Sequence, residues 1–172
     1  MGIFQRVPNP LKLRSKPNCN GEQTIEFVPN LEKRLVLRLL SHWRDSILDH
    51  PFPTLEELGV TTSPELWDHS FIINLGGNAD EAVIQSAGPG FAAHSQSSFI
   101  GRRLSLIPAN TLIAKSVEYL SEVLEKEVPV SRGGEFINGD GITVLYRSIL
   151  LPVGSDQQKI SAVLGAANCS NF

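Results

Sequence analysis

The sequence predicts an α+β domain: a five-stranded antiparallel sheet with helices on one face and an N-terminal helix covering the other. Three observations lead to this fold class. Over the last hundred or so residues, five short segments are rich in alternating apolar residues, as strands are. Turns rich in Gly and Asn join neighbouring segments as hairpins, which does not fit a parallel sheet. Two longer segments repeat apolar residues every three or four positions, as amphipathic helices do.

Composition narrows the class of protein before any element is assigned. The chain of 172 residues suits one domain, and its 41% hydrophobic and 19% charged residues provide enough apolar material for a core. A net charge of −3 does not provide the basic surface that nucleic-acid binding requires. No stretch is apolar enough for a membrane span or a signal peptide, so we expect a cytoplasmic protein.

The first 67 residues divide into a leader, residues 1–28, and an N-terminal helical segment, residues 29–67. The leader is basic near its start and rich in proline, and we expect it to be partly flexible. The predicted elements are a strand over Thr24–Val28, a helix over Leu31–Leu48 with Asn30 as N-cap, and a short helix over Thr54–Leu58 closed by Gly59.

The main domain is predicted to span residues 68–168, with a tail over residues 169–172. Its strands are expected at Ser70–Leu75, Glu81–Ala87, Val128–Phe136, Ile142–Leu151 and Lys159–Ala167. Short helical turns are expected over Gly88–Ile107 and one long helix over Asn110–Lys126. Gly133-Gly134 should break the third strand, and Asn138-Gly139 predicts a type I′ hairpin turn.

The strand Ile142–Leu151 is substantially apolar on both faces, so we expect both faces of the sheet to be covered. An apolar stripe of the long helix can cover one face: Ile113, Val117, Leu120 and Leu124. The other face then requires the helix Leu31–Leu48, which makes that helix part of the domain and not a linker.

This succession over roughly Asp68–Ala167 resembles the PAS domain, a small sensory fold. The likeness is carried by the hairpin HSFIINL–EAVIQSAG, by a junction at Phe99, Gly101, Arg102 and Leu104, and by the exit Leu150-Leu151-Pro152. The resemblance implies a sensory or signalling module that binds a small molecule, a signalling-protein partner or both, without catalytic output of its own. Because no kinase, cyclase or DNA-binding pattern follows, we expect a bacterial single-domain PAS protein with an upstream helix and no output domain.

If the resemblance holds, the short helices, the long helix and the inner sheet converge on one pocket. Its candidate lining residues are Phe91, His94, Phe99, Ile113, Val117, Tyr119, Val130, Val144 and Tyr146. Most are apolar, as in most small-molecule sites. In the alternative, aromatic side chains fill this space and the domain is purely an interaction module; those side chains are Phe91, Phe99, Tyr119 and Phe136.

The sequence identifies no ligand, and it speaks against both haem and flavin. PAS domains that bind haem take the histidine ligand from the long helix, and Asn110–Lys126 contains none. A flavin-type reactive cysteine is also missing, because Cys19 and Cys169 lie outside the predicted pocket walls. The two cysteines form no Cys-x-x-Cys pair and the histidines form no metal-binding pair, so neither a disulfide framework nor a metal site is expected.

A small enzyme or nucleotide-binding protein is the second hypothesis, and it depends on the loop Gly88–Ala93. This loop matches G-x-G-x-x-A directly after a predicted strand. No acidic residue lies between Glu81 and Glu118 to bind a ribose, and Pro89 lacks a backbone donor. The serines that follow His94 belong to no G-x-S-x-G motif, so no catalytic residue is assigned.

The helix Leu31–Leu48 is apolar over more than one narrow stripe, which leads us to expect a homodimer. One helix on one sheet face would not bury so broad a set, and large exposed apolar patches mark interfaces. The interface candidates are Leu35, Val36, Leu39, Leu40, Trp43 and Ile47. In the alternative, the leader or the segment Thr54–Leu58 covers the additional side chains.

Overall fold

The computed structural model describes residues 29–93, 98–155 and 159–171, with side chains described from residue 34 to residue 170. The helices are α1 (Pro29–Asp45), α2 (Leu55–Leu58), α3 (Pro64–Trp67), α4 (Pro89–Ala92), α5 (Leu112–Val117) and α6 (Leu120–Lys126). The strands are β1 (Ser70–Asn74), β2 (Val83–Ala87), β3 (Val130–Ile137), β4 (Thr143–Gly154) and β5 (Ile160–Asn171). Single 3₁₀ turns occur at Val60–Thr62, Ala79–Glu81 and Leu104–Leu106.

The five strands form one sheet in the order β2-β1-β5-β4-β3, and every neighbouring pair is antiparallel. Successive residues of a strand point to opposite faces, so the sheet separates two apolar layers. The inner layer packs α4, α5 and α6 against side chains that include Phe71, Val144 and Leu150. The outer layer packs α1, α2 and α3 against side chains that include Ile149 and Leu151. The predicted fold class is confirmed.

Helix α1 is part of the domain, as predicted, because its apolar side chains lie against the outer face of β4 and β5. The side chain of Leu39 is fully buried there. The indole Nε1 of Trp43 donates a buried hydrogen bond of 2.8 Å to the carbonyl oxygen of Pro152 in β4. The helix ends at Asp45, three residues before the predicted end, and still ahead of Pro51.

The six interface candidates of α1 all pack into this outer layer of their own chain, which corrects their assignment to a dimer interface. Four are buried and two are half-buried: Leu35, Val36, Leu39 and Trp43, then Leu40 and Ile47. The segment after α1 contributes to their burial, as the alternative expected, because Phe52, Leu58 and Val60 belong to the same cluster. These six side chains are therefore not available as an exposed apolar patch.

The short helix α2 begins where the sequence predicts, at a capping box. The Thr54 hydroxyl accepts a hydrogen bond from the Glu57 backbone N–H at 3.2 Å, and the Glu57 carboxylate accepts one from the Thr54 N–H at 2.8 Å. Gly59 closes the helix in the left-handed region, with φ of 55°. This capped turn holds Leu58 in the outer layer.

Three predicted elements differ from the structure. The long helix is two helices, α5 and α6, because Tyr119 leaves the helical conformation between them, with φ of −102° and ψ of 21°. Strand β3 continues through Gly133 and Gly134, which pair in register with Arg147 and Tyr146. Strand β5 runs to Asn171, four residues beyond its predicted end. The expected strand Thr24–Val28 lies outside the described residues.

The turn between β3 and β4 is a hairpin, as predicted, but it is not of type I′. That type needs positive φ at both central residues, and neither Asn138 nor Gly139 has it; Gly141 does, with φ of 76°. The Asn138 side-chain oxygen accepts hydrogen bonds from the N–H groups of Asp140 and Ile142, each at 3.0 Å. These hydrogen bonds of the Asn138 side chain favour a longer turn, whose left-handed residue is Gly141 at its end.

Candidate functional site

The inner layer brings together all the described pocket candidates. Six are buried members of one cluster: Phe91, Ile113, Val117, Tyr119, Val130 and Val144. Phe99 and Tyr146 are half-buried and pack against it. His94 lies outside the described residues. The described candidates therefore belong to one apolar cluster between the sheet and the helices α4, α5 and α6.

Tyr119 forms a buried polar contact within this apolar cluster. Its hydroxyl lies 2.7 Å from the Ser148 hydroxyl on β4, and either group can donate. Burial raises the pKa of Tyr119 well above its ordinary value, although the hydrogen bond with Ser148 opposes the shift. The phenol is therefore a neutral hydrogen-bonding group, held at the break between α5 and α6.

A series of charged side chains connects Tyr119 to the edge of the sheet. The Arg132 guanidinium on β3 lies over the Tyr119 ring, 5.6 Å from its centroid. The same guanidinium pairs with the Glu122 carboxylate of α6, which also accepts a hydrogen bond of 2.8 Å from Lys126. These partners, Lys126 foremost, hold the pKa of Glu122 below its ordinary value.

Tyr146 lies beside these charged side chains, on the same face of β4 as Ser148. Its ring meets the Phe136 ring edge-on, with centroids 5.9 Å apart. A side chain at Gly134 would contact the Tyr146 ring at 3.4 Å, so the glycine leaves the ring room to lie over β3. Burial, and secondarily the charge of Glu118, raises the pKa of Tyr146.

The opposite end of the inner layer is closely packed. The Phe71 and Phe91 rings are tilted against each other with centroids 4.7 Å apart. A Cβ at Gly165 would fall 2.2 Å from the Phe71 ring, so β5 needs glycine at that position. This aromatic packing fills the β1 side of the layer.

Three contributors to the site were not selected from the sequence: Ser148, Arg132 and Glu122. Ser148 alternates with Val144, Tyr146 and Leu150 on one face of the strongest strand, and a polar residue on an apolar face is a recognisable signal. Arg132 and Glu122 carried no such signal, because their contact depends on how α6 crosses β3.

The position of Cys169 corrects a prediction. It lies in the inner layer, fully buried and in register with Tyr146, and not outside the predicted walls. Its sulfur is disulfide-bonded, although no disulfide was expected from the sequence, and it is therefore not a nucleophile for a flavin. The buried side-chain hydroxyls of the described inner layer are also bonded within the protein: Tyr119 with Ser148, and Ser116 with the Leu112 carbonyl. Among the described residues, no free thiol is therefore available to form a covalent bond with a flavin.

The Gly88–Ala93 loop holds a carboxylate of its own chain where a phosphate would have to bind. The Gly90 N–H donates to the Asp68 carboxylate at 2.9 Å, and the Phe91 N–H donates to the Asp68 backbone carbonyl at 2.8 Å. A Cβ at Gly88 would fall 1.8 Å from the Trp67 carbonyl oxygen. The glycines allow close packing of this loop on α3, which accounts for the motif without a nucleotide.

Open clefts among the described residues lie at the margins of the inner layer. One, of about 610 Å³, runs beside β3 between Leu37, Gly133, Glu135 and Arg147. Another, of about 700 Å³, lies between the β1–β2 turn and the end of α6. The described residues contain no group of side chains arranged to hold a metal ion. Among them, too, no helix is both long and apolar enough to cross a membrane.

No protein-family model matches the sequence, and no curated protein is significantly similar to it. Solved structures of LOV domains do resemble it. The dark-state LOV domain of the blue-light photoreceptor Aureochrome1 is 17% identical, with a TM-score of 0.48, and the match covers 71% of this chain and 86% of that one. The LOV domain of a blue-light activated histidine kinase from Erythrobacter litoralis is 16% identical, with a TM-score of 0.45, covering 60% and 95%.

These likenesses concern the fold alone, at identities too low to transfer a ligand or an activity. The assignment of the fold comes from the chain itself: five antiparallel strands in the order β2-β1-β5-β4-β3, with short helices between β2 and β3. The chain has a PAS-like fold.

Proposed function

We propose that this protein is a sensory module that binds a small molecule in its inner layer and passes the change to a protein partner, without catalytic output of its own. The observation that supports the proposal is the position of Tyr119. Its hydroxyl bonds to Ser148 within an apolar cluster, and its ring contacts Arg132 at the exposed edge of the sheet. One residue thus links the protein interior to its surface.

The chemistry of the inner layer indicates the class of ligand. Its walls are apolar, and the Tyr119–Ser148 pair offers one exchangeable hydrogen bond. A small, mainly apolar molecule with a single hydrogen-bonding group would suit these walls. A ligand whose polar group takes the place of the Tyr119 hydroxyl beside Ser148 would release the phenol, because the two groups compete for the same position on Ser148.

Release of Tyr119 would change the position of Arg132 at the edge of the sheet. The guanidinium lies on the Tyr119 ring and pairs with Glu122, so it is held between α6 and β3. Movement of the ring would remove one support of Arg132 and change the charge pattern that β3 presents. A partner that contacts this edge would then distinguish the two states.

Native mass spectrometry of the purified chain, compared with its denatured mass, tests the proposal. We expect a bound mass of small-molecule size that is lost on denaturation. Ser148→Ala should lower the occupancy, whereas Ser131→Ala, at an exposed position of β3, should not.

The absence of any bound mass, together with no thermal stabilisation by small apolar ligands, would contradict ligand binding. The protein would then be an interaction domain whose interior is filled by its own side chains. The packed Phe71–Phe91 pair favours this second candidate.

A further inference from the structure

The two edges of the sheet are protected very differently. The edge of β2 is covered by the segment that follows α4. The Ile84 N–H donates to the Arg102 carbonyl at 3.3 Å, and the Gly101 N–H donates to the Ile84 carbonyl at 2.8 Å. Among the described residues, no strand pairs with the outer side of β3. Exposed edges of this kind are templates for further strands.

The hairpin geometry shows which backbone groups this edge presents. The Asn138 N–H donates to the Ile142 carbonyl at 2.9 Å, which fixes the phase of the β3–β4 ladder. Hydrogen-bonded pairs recur at every second residue of an antiparallel ladder. The groups that point away from β4 are therefore those of Ser131, Gly133, Glu135 and Ile137.

The side chains along this edge leave it open to another backbone. Ser131 to Glu135 are all exposed, and the edge carries no proline. Gly133 and Gly134 leave the centre without side chains on either face. Its two charges lie on opposite faces, Arg132 on the inner face beside Tyr119 and Glu135 on the outer face beside the cleft.

We propose that this edge pairs with β3 of a second copy of the chain, antiparallel, about a two-fold axis at Gly133. A two-fold pair requires residues of the same face to lie opposite each other. In this register, Ser131 faces Glu135 of the second copy and Arg132 faces Gly134, so no like charges meet. The two sheets become one continuous sheet of ten strands.

Charge and packing select this register over its neighbours. An axis at Arg132 would place two guanidinium groups opposite each other, and an axis at Glu135 would do the same for two carboxylates, both of which are unfavourable. An axis at Gly134 would place Val130 opposite Asn138 of the second copy. The axis at Gly133 instead places Val130 opposite Phe136, apolar against apolar. The proposal is independent of ligand binding.

Sedimentation of the full-length chain over a range of concentrations tests the pairing. We expect a reversible dimer. Ser131→Lys should tighten it and Ser131→Glu should weaken it, each by about tenfold, because two symmetric contacts with Glu135 change together. The double variant Ser131→Glu with Glu135→Lys places opposite charges across the pair and should dimerise as tightly as Ser131→Lys.

Two further variants separate pairing from folding. Ser105→Glu adds the same charge at an exposed site away from the edge and should not alter the dimer. Gly133→Pro removes one outward N–H without removing a bond to β4, and should give a monomer with an unchanged far-ultraviolet spectrum. A chain that stays monomeric at every concentration overturns the proposal and assigns the edge to another occupant. A dimer unaffected by the changes at Ser131 overturns it as well.

Discussion

Replacing Leu39 with alanine tests whether α1 belongs to the domain. Its side chain is fully buried between α1 and the outer face of the sheet. Deleting a buried leucine to alanine costs about 2–5 kcal/mol, from lost transfer free energy and from the cavity left behind. The free energy of unfolding of a domain is typically about 5–15 kcal/mol, so this substitution should remove a large share of it.

Leu37 provides a matched control on the same helix. Its side chain is 51% exposed, so Leu37→Ala should change the free energy of unfolding by no more than about 0.5 kcal/mol. Both effects can be measured by urea unfolding, followed by tryptophan fluorescence. Trp43 and Trp67, the two tryptophans of the chain, both contact the outer layer and report on it directly.

With a urea dependence of about 1–3 kcal/mol per molar, Leu39→Ala should lower the unfolding midpoint by about 1–3 M. Leu37→Ala should leave it nearly unchanged. Equal midpoints for the two variants would refute the packing of α1 on the sheet, and with it the argument that both faces of the sheet are covered.

Two other predictions concern the inner layer. Gly165→Ala should destabilise the protein severely, because its methyl group would collide with the Phe71 ring, whereas a methyl group at Gly139 would meet only the Asn110 side chain at 3.6 Å, an ordinary contact, and Gly139→Ala should be tolerated in the same urea assay. The two tyrosines should resist ionisation: just above about pH 10, absorbance at 295 nm should show less phenolate in the folded protein than in urea, since the folded-state pKa values of Tyr119 and Tyr146 exceed the ordinary value of about 10. Their neutral forms contribute stability in full below about pH 10, and that contribution is lost as the pH rises through the folded-state pKa values. Normal titration of both tyrosines in the folded protein would contradict their burial.

The order and type of most elements were predictable because they depend on local patterns. The alternation in Ile142–Leu151 predicts a strand, and the structure places it at the centre of β4. Gly59 was expected to end the short helix Thr54–Leu58, and it ends α2 in the structure. The apolar character of β4 on both faces also predicted a covering helix on each side, which the two layers confirm.

The element boundaries that were predicted wrongly depend on contacts with residues distant in sequence. Gly133-Gly134 is a strand breaker by propensity, yet β3 continues because its backbone pairs with β4 and the Tyr146 ring uses the space. The break at Tyr119 accompanies its bond with Ser148, 29 residues away. The expectation of a dimer through α1 also depended on distant partners. The apolar side chains of α1 that one sheet face does not bury are covered by the segment that contains Phe52 and Leu58.

The sequence by itself determined the fold class, the succession of the five strands and the presence of helices on both faces of the sheet. Periodicity and turn chemistry are local properties, so they can be recognised without knowing the partners. The tertiary structure alone decided the Tyr119–Ser148–Arg132 arrangement, the carboxylate in the Gly88–Ala93 loop and the open edge of β3. Each of these depends on which backbone and side-chain groups find partners across the fold, and a linear sequence does not specify those distances.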